Sequence, residues 1–134
     1  MVLATLVNVG IGFGLYSIWF FACYTPTEPE QLYKQLDVPG WYQTAWIETS
    51  RCAGDKAHFP PVRFNQVDFY VVDVDSLMVN GIKTTAMATG WDIYLTRGVV
   101  DSTRIVKHEM MHVIGQIWSH PTDPFYRCKL MWGQ

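Results

Sequence analysis

His108-Glu109-Met110-Met111-His112, followed by Gly115 and His120, is the stretch on which the reading of this chain turns. On a helix, residues four apart project from one face, so His108 and His112 form a pair. Two imidazoles at that spacing can hold one zinc ion, and Glu109 stands beside them to polarise a water on the metal. Three of the four histidines in the chain fall between positions 108 and 120. Zinc hydrolysis needs three protein ligands and an open fourth position. No glutamate follows Glu109, so the third ligand has to be sought elsewhere. His120 is the first choice, because a chain that turns at Gly115 can bring it back to the helix; Asp123 is the second.

Working outward, Asp101-Ser102-Thr103 supplies N-cap candidates, so a helix is expected from about Ser102 to Ile114, ended by Gly115. Ile105, Met111 and Ile114 would face its core. Upstream, Trp91-Asp92-Ile93-Tyr94-Leu95 alternates and reads as a strand. Asn80-Gly81 can close a hairpin inside an otherwise weakly patterned stretch, Ser76 to Gly90. Gln66 to Val74 is rich in Val, Phe and Tyr and reads as a buried strand. Trp41, Tyr42, Ala45 and Trp46 recur at helical spacing, giving a helix to Arg51 that ends near Cys52-Ala53-Gly54. Pro60-Pro61 forbids a helix in the loop from Asp55, where His58 is an ordinary loop residue. Gln31 to Asp37 reads as a helical turn or two, and the tail after His120 as mostly loop. The expected class is α+β, with a short mixed or antiparallel sheet beside the H-E-x-x-H helix.

The amino-terminal segment is of another kind. From Val2 to Tyr24 there is no charged side chain, enough to cross a bilayer, which takes about 20 apolar residues. A cleaved signal peptide would begin with a basic region, and none is present. A lipoprotein signal would end at Cys23, but Phe20 stands where an aliphatic residue belongs. A retained transmembrane helix is the expectation. Gly10 and Gly14 form a G-x-x-x-G face for a second helix, and Tyr16, Trp19, Phe20, Phe21 and Tyr24 gather at one end as in an interfacial belt. Residues 1–24 are therefore read as anchor, 25–40 as a proline-bearing linker and 41–134 as the folded domain. The charged fraction of 16% is low largely because of this segment, and a net charge of -2 without a basic block excludes nucleic acid as an expected partner. Lysine and arginine barely orient the anchor. The cysteines do so better: Cys52 and Cys128 both lie in the domain and pair, leaving Cys23 at the membrane boundary. Such a bridge contributes roughly 4 kcal/mol in the chain-entropy model. It implies an oxidising compartment, hence a domain on the periplasmic side of the inner membrane.

The run from His108 to Gly115 resembles the start of the metzincin motif H-E-x-x-H-x-x-G-x-x-H/D, except that Trp118 stands at the third ligand position and His120 lies two residues beyond. Met131 is a weak match for the methionine under such sites. Residues 41–134 also resemble small zincin-like domains of bacterial exported proteins. The shared features are a Trp-rich helix ending in Cys (Trp46 to Cys52), the strand Phe69-Tyr70-Val71-Val72 and a second strand ending Tyr94-Leu95. Arg104 with His108 to His112, then Ser119-His120-Pro121 and Cys128, complete the match. The resemblance implies a zincin-like fold, a metallopeptidase activity with zinc on His108, His112 and His120, and a substrate peptide lying along Trp91 to Leu95. Zinc-activated water would attack a peptide bond, with Glu109 as general base. The competing expectation is a non-catalytic accessory subunit: an anchored small domain that clamps a larger membrane complex of respiratory or photosynthetic type and uses a zincin-like scaffold for its shape.

Overall fold

The computed structural model describes residues 33–120 and 123–131. The expected membrane helix, its Gly10 and Gly14, Cys23 and the first half of the linker lie outside the described residues, and among the described residues no helix is long and apolar enough to cross a membrane.

A four-stranded sheet packs one face against two helices. In chain order the elements are β1 (Tyr33–Gln35), α1 (Gly40–Ala53), β2 (Asp68–Val72), β3 (Leu77–Val79), β4 (Ile82–Thr84), β5 (Ala86–Thr89), β6 (Asp92–Thr96), α2 (Thr103–Gly115) and α3 (Asp123–Arg127). The sheet order is β1-β2-β6-β5, while β3 and β4 pair separately. The sheet is mixed: β2 runs parallel to β6, and both outer pairings are antiparallel. This is the α+β class that the sequence led us to expect.

Period two sorts the strand residues. Phe69, Ile93 and Leu95 turn inward and are buried with Ala86 against the helices. Tyr70 and Tyr94 alternate with them and take the other face. Tyr42 of α1 packs on Phe69 at a ring separation of 5.1 Å, and its hydroxyl donates to the Val100 carbonyl at 2.6 Å, joining α1 to the entry of α2. Val106, Met110 and Val113 give α2 an apolar stripe at i, i+4 and i+7, fully buried. Met111 and Ile114 are buried too, as expected, but the helix is covered on more than one side: from His108 to Ile114 every residue is buried.

Asn80 and Gly81 both have positive φ, at 50° and 79°, and close the β3–β4 hairpin. This is the mirror-image turn that matches strand twist. Three readings are corrected. Gln31 to Asp37 was expected to be helical, yet Tyr33–Gln35 forms β1 and the Leu36 amide donates to the Phe69 carbonyl at 2.8 Å; pairing with β2 outweighs local preference. The tail holds a short helix, α3, started by Pro124 in its first turn, where a missing amide costs nothing. Trp91 to Leu95 is no cleft edge, because β6 lies between β2 and β5; the edges are β1 and β5.

Cys52 and Cys128 form a disulfide with their Cα atoms 5.9 Å apart, tying the end of α1 to the chain just after α3. Arg127 reinforces the joint, donating to the Ala53 carbonyl at 2.7 Å.

Candidate metal centre

Helix α2 carries two of the three histidines, and its ending positions the rest. The amide of Ile117 returns to the His112 carbonyl at 3.1 Å and that of Gln116 to Val113 at 3.4 Å. With Gln116 left-handed at φ 51°, this is a Schellman ending. The expectation that Gly115 would end the helix is right in place, but the left-handed residue is Gln116. At Gly115 a Cβ would stand 2.7 Å from Cδ1 of Ile117, so a larger residue there would have to displace the end of that side chain. The Gln116 side chain helps by donating to the Val113 carbonyl at 2.8 Å. The reversal then delivers His120 to the helix face.

His108, His112 and His120 offer ring nitrogens that all lie within 4.8 Å of one another. His108 and His112 are buried, at 6% and 7% exposure, and His120 is exposed. Ring centroids stand 5.1 Å apart for 108–112, 4.9 Å for 108–120 and 4.7 Å for 112–120. Asp123, the alternative third ligand, is elsewhere and pairs with Arg127 at 3.8 Å. Trp118 lies parallel to His112, within 3° at a centroid distance of 6.1 Å, as a neighbour of the site.

The second ring nitrogens are already engaged. His108 Nδ1 is 2.8 Å from the Leu130 carbonyl oxygen, and His112 Nδ1 contacts that of Ile117. A carbonyl only accepts, so each Nδ1 carries the proton and the Nε2 lone pair faces the cluster. Metal-ligating histidines are characteristically oriented in this way. Burial lowers the pKa of all three rings, that of His112 to about 4. They are therefore neutral near pH 7, as ligation requires.

The donor set fits zinc: three neutral imidazoles, no thiolate, and one ligand exposed toward solvent. Nitrogens bound at about 2.1 Å to a tetrahedral ion stand about 3.4 Å apart, so the 4.8 Å spread is within reach of side-chain rotation. Glu109 is buried at 6% exposure and makes no hydrogen bond or ion pair among the described residues. Burial pushes its carboxyl up to about 8.

Sequence reasoning missed Phe125. Fully buried on α3, it stands 4.9, 4.7 and 4.8 Å from the rings of His108, His112 and His120. It holds the place against the three imidazoles that Met131 was expected to take. Leu130 was also missed, since its main-chain oxygen carries no signal in the residue type. Arg127 is bound to Ala53, Asp55 and Asp123. His58 is a loop residue as expected, its amide donating to the Ile114 carbonyl at 2.8 Å.

A scan of protein-family models and searches of curated proteins and of solved structures found no match to this chain.

Proposed function

We propose that the domain is a zincin-like zinc metallopeptidase, with His108, His112 and His120 holding the metal and Glu109 moving the proton. The observation that carries this reading is the convergence of His120 on a helical histidine pair whose Nδ1 atoms are both committed to main-chain carbonyls. Such a site can exist without turnover. What favours catalysis is a buried carboxyl group, next to a ligand, that makes no hydrogen bond or ion pair among the described residues.

Zinc bound there supplies a Lewis acid that makes water nucleophilic near neutral pH. The protein does the remainder. Leu130 and Ile117 fix the imidazole tautomers, and burial keeps protons off the rings. A carboxylate oxygen of Glu109 takes the proton from the attacking water and returns it to the leaving amine. A group poised near the working pH is the most effective carrier for both transfers. A peptide substrate can add to β5, the edge strand packed against α2, through main-chain hydrogen bonds.

The Cys52–Cys128 bridge supports an oxidising compartment, and the uncharged stretch Val2 to Tyr24 supports a membrane anchor. The reading is therefore of a domain held at the periplasmic face of the inner membrane. Its test is zinc content and peptide hydrolysis of the full chain, wild type against Glu109→Gln. The expected result is one zinc in both and loss of turnover in the variant. A wild type that takes up no zinc, or equal turnover in the two, refutes it.

A further inference from the structure

The face of the sheet turned away from α2 carries an assembly unrelated to the metal centre. Tyr33, Tyr70 and Tyr94 come from the three neighbouring strands β1, β2 and β6. Tyr70 and Tyr94 are directly opposed in register and stacked, 5.0 Å apart at 17°. Tyr33 meets both edge-on, at 5.4 and 5.6 Å. Two residues before the stacked pair, Asp68 and Asp92 are also opposed in register, so their carboxylates share this face. Gln35 joins them, its amide nitrogen 3.3 Å from Asp68. Among the described residues no helix lies over this face: Tyr33 is 41% exposed, Asp68 is exposed, and Tyr70, Asp92 and Tyr94 are half-buried.

Among the described residues no cation offsets the charge here. Burial first, and Asp68 second, push the Asp92 carboxyl up. Burial and the same two aspartates push up the phenols of Tyr70 and Tyr94. Neither lysine nor arginine contributes to any of the three. Like charges directly opposed across two strands destabilise a sheet, and a cation placed between them reverses that effect. Electron-rich ring faces favour an organic ammonium or guanidinium over a hydrated inorganic ion. Three strands span about 10 Å at the usual spacing, wider than a single ammonium group and suited to an extended chain. The negative sign disfavours nucleic acid and anionic lipid alike.

We infer that this face binds a cationic extended peptide segment of a partner protein, seating a lysine or arginine side chain against Tyr70 and Tyr94 and between Asp68 and Asp92. The test uses the full chain and two fluorescein-labelled probes, Gly-Lys-Gly-Lys-Gly-Lys-Gly and its Glu-for-Lys counterpart, read by anisotropy at low ionic strength. The lysine probe binds and the glutamate probe does not. Asp68→Asn with Asp92→Asn weakens binding about tenfold and Tyr94→Leu about threefold, on the scale of charge and cation–π contacts at a partly exposed site. Added salt weakens it further. Amide shifts of the wild type on titration with the lysine probe fall within residues 33–35, 68–72 and 92–96, a readout that needs no variant to fold. Equal binding of both probes, indifference to the substitutions, or shifts confined to other residues overturns the inference. So does a face that takes up uncharged oligosaccharide or zwitterionic vesicles but not the lysine probe.

Discussion

Glu109→Gln tests the buried carboxylate independently of turnover. In the metal-free fold, burial raises this carboxyl from 4.5 to about 8. A group whose folded pKa is raised keeps its proton better in the folded state, so the fold loses stability as pH climbs from 4.5 toward 8. One pKa unit is worth about 1.36 kcal/mol, and linkage between pH 5 and pH 8 then gives a loss of roughly 3–4 kcal/mol from this single residue. Glutamine fills nearly the same space and does not titrate. The expected result, from urea unfolding of chelator-stripped protein, is a wild type that weakens by about that amount relative to Glu109→Gln between pH 5 and pH 8. Taking the difference between the two proteins cancels the histidines, whose lowered pKa values act in the opposite direction and at lower pH. Zinc should flatten the wild-type slope, because a nearby cation favours the charged carboxylate. If both metal-free proteins respond to pH alike, Glu109 is not desolvated as described, and its assignment as proton carrier loses its physical basis.

Three further outcomes follow from the site. His120→Ala abolishes stoichiometric zinc binding while Asp123→Ala leaves it intact, as read by competition with a chromophoric chelator. Because burial holds His112 down to about 4, the stability tied to its neutral form is present above 6.5 and lost as pH falls toward 4. Zinc titrations should accordingly show retention to about pH 5, below the release expected near 6.5 for unperturbed imidazoles. Replacing Cys52 and Cys128 by serine costs about 4 kcal/mol in denaturant unfolding, from a bridge that spans 76 residues. The same change lowers zinc affinity about 10- to 100-fold, because it frees the segment that holds Phe125 and Leu130 against the histidines.

How much of this was legible in the sequence depends on the range of the interaction. The two helices, the core strands β2 and β6, the Asn80-Gly81 turn and the pairing of Cys52 with Cys128 were all readable from local pattern or simple counting. His120 was chosen over Asp123 because of the turn at Gly115, and the structure brings His120 to the pair. The strand at Tyr33–Gln35 was not legible: its only signal is a partner far along the chain, and its own three residues are all exposed. β5 was hidden for a similar reason, since Ala86-Met87-Ala88-Thr89 has little strand character until β6 lies beside it. Phe125 was obscured by Pro124, which suggested loop and in fact starts a short helix. The carbonyls of Ile117 and Leu130 are invisible in principle, because every residue has one and only the fold selects which is used.

Those two carbonyls also fix an order of assembly. His112 takes its partner from Ile117, five residues on, whereas His108 waits for Leu130, at a separation of 22. As the chain is synthesised, one ligand can be set as soon as the helix end closes. The other stays unoriented until residue 130 has been added and the segment around α3 has been drawn in. A nascent chain stalled between these points would hold half a metal site, so zinc capture should report completion of the domain rather than formation of its central helix.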